Sequence, residues 1–175
     1  MIEDELKRFQ ITIWLGAFVD DLGLLTEDKQ DMDVAKETVR EIMGRRNFPL
    51  DDAKEEFITF DGKRKKVVKY LGFWLDTKLD HKTHISKRLT KATQVWGAVC
   101  RIGNSYSGIK PRSYRQIYTG MIRPILLYGF EVINQNRIPW DKIESLEYQA
   151  MRKVTGAYHG ARKEKVLKIA GVESL

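Results

Sequence analysis

From Gln10 to Val19 the chain passes through Ile11, Thr12, Ile13, Trp14, Leu15, Ala17 and Phe18, a density of β-branched and aromatic residues that predicts a strand. It meets Asp20-Asp21 and resumes as Leu22-Gly23-Leu24-Leu25, so the pattern is a hairpin with two carboxylates at its tip. Counting by twos puts Asp20 on the face of Phe18 and Trp14 and turns Asp21 away. Thr26 then caps a predicted helix with Glu27 and Asp28 in its first turn. Met32, Ala35, Val39, Ile42 and Met43 form its apolar stripe, and Gly44 stops it. Pro49 and Asp51-Asp52 mark a turn. Glu55 to Phe60 predicts a strand, Asp61-Gly62 a hairpin turn and Val67 to Leu75 the returning strand.

After Asp80 the period changes from two to between three and four. Ile85, Leu89, Ala92, Trp96 and Val99 lie on one face, with Lys82, Lys87, Arg88 and Lys91 elsewhere. Pro111 opens a second helix through Ile117 and Met121, which Pro124 is expected to kink or end before the apolar run Ile125 to Tyr128. Pro139 opens a third through Trp140, Ile143, Leu146, Ala150 and Val154, closed by Gly156. Arg162 to Ala170 makes a fourth, ending at Gly171. Hairpin, helix and antiparallel strands followed by helices alone give an α+β class.

Charge divides the chain in the same place. Residues 1–60 hold 8 Lys+Arg against 15 Asp+Glu, a net of −7, while residues 61–175 hold 23 against 9, a net of +14. An acidic front suits divalent cations, and a basic, aromatic back suits a polyanion such as nucleic acid; solvated faces explain the charge alone equally well. The mean hydropathy is −0.43 and no run of 18 apolar residues occurs, so no membrane-spanning helix is expected. Glu3-Asp4-Glu5 is unlike a secretory leader, and Cys100 is the single cysteine among 175 residues. Neither a disulfide framework nor a cysteine zinc site forms from one thiol, and an intracellular setting, nuclear or cytoplasmic, is expected.

Phe18-Val19-Asp20-Asp21 is where chemistry concentrates. Adjacent carboxylates repel unless solvent or a cation compensates them, and magnesium prefers such oxygens while keeping positions open for water and phosphate. A solvated acidic turn is the alternative.

The order of motifs carries a resemblance. Ala17-Phe18-Val19-Asp20-Asp21, then Leu50 to Phe60, then Val68-Lys69-Tyr70-Leu71-Gly72-Phe73-Trp74-Leu75-Asp76 resembles the reverse transcriptase of non-LTR (LINE-type) retrotransposons. It continues through Arg115-Gln116-Ile117-Tyr118, Ile122 to Gly129, Lys153 to Tyr158 and Ala170-Gly171-Val172. The resemblance implies a partial polymerase palm with a primer-grip-like hairpin over residues 1–79, then an all-helical, thumb-like region over 80–175. It implies that Asp20 binds catalytic magnesium, with Asp21 as a less direct carboxylate, and that Lys54 protonates the leaving pyrophosphate or positions the triphosphate. Tyr70, Leu71 and Gly72 would begin the primer grip, and an RNA template and a DNA primer would be the partners.

The match has departures. Phe18 stands where the family more often has Tyr, a mild change. A two-metal polymerase also needs an aspartate on an earlier palm strand. The acids before the hairpin are Glu3, Asp4 and Glu5, in a segment without that motif's pattern. The expectation is therefore a fragment that does not polymerise alone. A non-catalytic nucleic-acid-binding module and a protein-interaction remnant are the alternatives. An incomplete palm would also expose a strand edge and apolar surface, which predicts self-association.

Other candidates divide between binding and packing. Lys110, Arg112 and Arg115, near a helix start, are the expected phosphate-backbone contacts, whereas Ile117, Met121 and Tyr128 read as packing. Tyr106, Tyr114 and Tyr118 could stack on bases or fill the core. Lys63-Arg64-Lys65-Lys66 is either a basic hairpin tip or a protected edge. Asp80, His81 and His84 read as helix-start polar residues rather than zinc ligands. Cys100 reads as a buried helix residue.

Overall fold

The computed structural model describes residues 13–48, 50–60, 66–103 and 108–173. It is α+β, as the periodicity requires. The described parts of Met1–Thr59 and Val68–Phe73 make one compact unit, and those of Phe60–Val67 and Trp74–Leu175 make another.

In the first unit, strands β1 (Ile13–Phe18) and β2 (Asp21–Thr26) pair antiparallel, from Ile13 opposite Thr26 to Phe18 opposite Asp21. Helix α1 (Lys29–Arg45) lays Ala35 and Val39 against Ile13, Leu22 and Leu24, the inner face of the hairpin. Met32 and Ile42 extend the predicted stripe, and Met43 packs at its margin.

Both ends of α1 differ from expectation. The cap is Asp28, whose carboxylate accepts the Asp31 N–H at 2.9 Å; Thr26 instead ends β2 and donates its hydroxyl to the Asp28 carbonyl at 2.8 Å. Gly44 does not stop the helix. Asn47 takes the left-handed position (φ 58°), with Asn47 N–H on the Gly44 carbonyl and Phe48 N–H on the Met43 carbonyl, the paired closure that glycine more often provides.

Glu55 to Phe60, expected as a strand, forms none. Side chains take the place of a ladder: Glu55 is held by Lys36 and by Arg40, and Glu56 accepts the Lys69 N–H at 3.2 Å. Pro49, Asp61-Gly62 and residues 63–65 lie outside the described residues.

The predicted strand from Val67 to Leu75 is two strands, β3 (Val67–Tyr70) and β4 (Phe73–Asp76), which form a second two-stranded sheet. Leu71 and Gly72 make the turn with φ of 45° and 78°. Positive φ at both central residues is what a tight hairpin matched to the strand twist demands.

The second unit is helical. It comprises α2 (Lys82–Ile102), α3 (Pro111–Ile117), α4 (Arg123–Leu127), α5 (Trp140–Thr155) and α6 (Lys163–Ala170). Pro124 neither ends nor breaks the run from Pro111. A π-helical turn over Tyr118–Ile122 joins α3 to α4, with the Arg123 N–H on the Tyr118 carbonyl, so the wider turn accommodates the proline. Gly156 (φ 70°) and Gly171 (φ 64°) close α5 and α6 as predicted. Ile85, Ala92 and Trp96 of α2, Ile143, Leu146, Ala150 and Val154 of α5, and Ile122 and Leu126 form the core. Trp96 meets the rings of Tyr114 and Tyr118 edge-on, with centroids at 5.9 and 6.2 Å. No described helix is long and apolar enough to cross a membrane.

Candidate functional site

The β1–β2 hairpin closes with two residues, Val19 and Asp20, between the paired Phe18 and Asp21. Residues directly opposite share a face, so Trp14, Gly16 and Phe18 line up with Leu25, Gly23 and Asp21 on the outer side. This reverses the expectation from counting by twos. The tight turn breaks the alternation, so Asp21 joins the face of Phe18 and Trp14, and Asp20 occupies the turn itself.

Val19 holds φ at 55° and is 93% exposed. Positive φ is strained for a β-branched residue, at a cost of about 1–3 kcal/mol. The strain is localised beside the two exposed carboxylates. Phe18, 62% exposed, and Trp14 extend an open apolar surface beneath them.

Of the other residues singled out in the sequence, Tyr70 reaches this face. Its ring lies so close over Gly23 that a β-carbon there would stand 2.9 Å from Cζ. Asp20, Asp21 and Tyr70 are thus brought to one hairpin, with Leu71 and Gly72 in the turn that follows. Lys54 ends a short 3-10 turn and is exposed, with its ammonium 3.2 Å from the Asp51 carboxylate.

In the helical unit, Lys110 and Arg112 are exposed at the start of α3. Arg115 is exposed as well and has a structural role besides. Its guanidinium donates to the Gly171 carbonyl, tying α3 to the end of α6, and Arg123 reaches the Glu173 carbonyl at 3.2 Å. Tyr114 and Tyr118 are buried and do not serve as stacking surfaces; burial raises both phenols above the ordinary range. Tyr106 lies outside the described residues. Met121 and Tyr128, expected to pack, are 49% and 46% exposed.

The Asp80, His81 and His84 group resolves into structural roles. Asp80 accepts the Lys82 N–H at 3.0 Å, a bond that lowers its carboxyl below the usual range. His81 is the residue preceding α2, in a left-handed conformation. His84 is fully buried, and both ring nitrogens face backbone: Nδ1 accepts the Trp74 N–H at 3.2 Å, which leaves Nε2–H to donate to the Tyr128 carbonyl at 2.8 Å. The one ring lone pair, on Nδ1, accepts the Trp74 N–H and is not presented to a metal. Burial is the main cause that lowers its pKa. Cys100 is partly rather than fully buried, and that burial raises its thiol.

Sequence reading missed two cation–ring pairs beside His84. The Arg88 guanidinium lies 4.2 Å from the Tyr128 ring centre, and the Lys87 ammonium lies 5.4 Å from that of Trp74. The available signal was Tyr128-Gly129 itself. Tyr128 leaves the helix at ψ 122° and Gly129 (φ 79°) starts the next turn, which frees the Tyr128 carbonyl from the helix ladder.

Over 78 residues the chain is 32% identical to a 115 kDa protein of the type-1 retrotransposable element R1DM of Drosophila melanogaster. The match covers 43% of this chain and 8% of that relative. A non-LTR element origin is what it suggests. No family model matches the chain, and no solved structure matches it.

Asp20 and Asp21 offer the hard oxygen donors that magnesium takes. Among the described residues, however, no group of three or more carboxylate, imidazole or thiol side chains comes together. Asp20 and Asp21 are thus two neighbouring exposed carboxylates, joined among the described residues by no third such side chain.

Proposed function

We propose that the chain is a segment of a non-LTR retrotransposon reverse transcriptase, comprising part of the palm and a thumb-like helical unit. The observation that carries this reading is the tight hairpin in which Asp20 fills the turn and Asp21 opens the return strand, on a chain similar to an R1 element protein. In this reading Asp20 and Asp21 are two of the carboxylates that hold magnesium during nucleotidyl transfer. Lys54 protonates the leaving pyrophosphate or positions the triphosphate, and Lys110 and Arg112 contact the phosphate backbone of a primer–template hybrid. Arg115, exposed on the same helix, keeps further N–H donors for that backbone besides the one that anchors α6. No catalytic step is assigned to the two aspartates alone, and the isolated chain is expected not to extend a primer.

Exposed Lys110 and Arg112 at the start of α3 favour a second reading, a nucleic-acid-binding module without catalysis. One series of measurements separates the two. The polymerase reading expects magnesium to perturb the backbone amides of Val19 to Leu22 in an NMR titration, and Asp20→Asn to abolish the effect. Identical titrations of Asp20→Asn and the parent chain would overturn it. Both readings expect the affinity for an RNA–DNA hybrid to fall with the logarithm of salt, by about 0.9 log units per phosphate neutralised on a B-form scale. Absence of binding at low salt would overturn both.

A further inference from the structure

The surroundings of His84 place two aromatic rings on one scaffold. Trp74 comes from β4 and Tyr128 from the end of α4, and the backbones of both are fixed by the same buried imidazole. Behind each ring stands a cation from α2, Arg88 for Tyr128 and Lys87 for Trp74. Helical spacing explains why one element does all three jobs, since residues 84, 87 and 88 lie three and four positions apart on one side of α2. Tyr128 is 46% exposed although its carbonyl is held and its ring is backed.

An exposed ring ordinarily samples several rotamers and loses that freedom on binding a ligand. Here the backbone bond to His84 and the guanidinium at 4.2 Å restrict Tyr128 before any ligand arrives. A ring held half in solvent with a guanidinium beside it matches one chemistry well: a planar, unstacked heteroaromatic base linked to a phosphate. The base stacks on the ring, and the phosphate meets the cations. Bases within a duplex are already stacked on their neighbours, so such a ring takes a base from a single-stranded stretch.

We propose that Tyr128, positioned by His84 and backed by Arg88, is a stacking platform for an unpaired nucleobase of single-stranded nucleic acid. The inference rests on the nucleic-acid reading above and extends it from a duplex held through its phosphates to a strand held by a base. Tyr128 is the contact residue for the base and Arg88 for its phosphate; His84 is a positioning residue. Substitution of the Tyr128 side chain leaves the carbonyl that accepts from His84 in place, so the ring can be altered while its anchor is retained.

The test uses the full chain and a short single-stranded oligonucleotide carrying one 2-aminopurine, whose fluorescence is quenched on stacking, in metal-free buffer without primer. Quenching is expected with the parent chain and with Tyr128→Phe. Tyr128→Leu should weaken affinity by about fivefold to a hundredfold, the range for loss of one base–aromatic stack, and should abolish the quench. Its urea midpoint, measured alongside, should stay within the range of an exposed substitution. Binding that remains salt-dependent but is unchanged in Tyr128→Leu would overturn the platform and leave the phosphate-contact reading standing. Absence of oligonucleotide and hybrid binding would remove both. Equal competition by adenosine monophosphate at the same concentration would overturn the assignment to a strand in favour of a free nucleotide.

Discussion

Gly16 and Gly23 stand directly opposite each other across β1–β2, and a ring covers each: Trp14 lies over Gly16, and Tyr70 lies over Gly23. Two glycines side by side would leave a bare strip of backbone on the outer face. The rings shield it, and one of them comes from β3, so this contact joins the carboxylate hairpin to the strand that leads into Leu71-Gly72.

The contact makes Gly23 sensitive to size. A β-carbon there would meet Tyr70 Cζ at 2.9 Å, so the ring must swing away. Gly23→Val is expected to cost about 1–3 kcal/mol in urea unfolding, the range of an overpacked contact. In Tyr70→Ala the same substitution should cost at least 1 kcal/mol less, a coupling that a double-mutant cycle reads directly. Additive losses would show that the ring does not restrict this position.

The turn beside Asp20 offers the opposite change. Val19 holds a φ of 55° that glycine adopts without a β-carbon penalty, and it is almost wholly exposed. Val19→Gly should therefore stabilise the first unit by about 0.5–1 kcal/mol after glycine's greater unfolded-state freedom is subtracted. A lower thermal midpoint than the parent chain would contradict the strain.

His84 predicts a pH dependence. The groups that face it besides the Trp74 N–H and the Tyr128 carbonyl are Arg88 and His81, which disfavour its proton, and Glu131, which favours it. Burial dominates, so the folded chain holds the imidazole neutral below its ordinary value of 6.5. An unfolded chain then binds the proton more readily. The stabilisation is complete above about pH 6.5 and is lost as pH falls through the lowered folded value. Comparing urea midpoints from pH 8 to pH 5 should show a steeper acid loss for the parent chain than for His84→Gln. His84→Leu should cost about 2–4 kcal/mol at neutral pH, because a buried N–H and a carbonyl both lose their partner. Parallel pH profiles for the parent chain and His84→Gln would show that the imidazole is not the group responsible.

Glu147 is a buried acid on the core face of α5, and it faces the phenol of fully buried Tyr118. Glu147→Ala leaves a cavity beside the Tyr118 phenol and should cost about 2–5 kcal/mol. Glu147→Gln keeps shape and hydrogen-bonding capacity and should cost under about 1.5 kcal/mol. If urea unfolding finds the two equal, charge rather than packing sets the contribution.

Much of the fold is local in origin and was legible along the chain. The stripe Met32-Ala35-Val39-Ile42 and the closing glycines at 156 and 171 follow from helical period and from glycine's access to positive φ, and each is where the sequence places it. The acidic tip at Asp20-Asp21 was equally legible, because a strand that halts at two carboxylates and resumes as Leu22-Gly23-Leu24 has to turn there. The strand expected over Glu55–Phe60 was not, since a strand exists only if a neighbour accepts its ladder. Here Lys36, Arg40 and the Lys69 N–H engage its acidic side chains instead.

The sequence by itself determined the helical stripes, the α+β class, the charge division and the position of the two aspartates. These depend on residue type and spacing within one element. Tertiary structure alone decided which aspartate shares the face of Phe18, that Arg115 holds α6, that Tyr114 is buried while Tyr128 is exposed, and that His84 joins β4 to the end of α4. The face of Asp21 depends on how tightly the turn closes, and each of the others depends on a hydrogen bond or a packed face supplied by residues far along the chain. A one-residue turn register or a proline absorbed in a π-helical turn changes such partners without changing the pattern that predicts the elements.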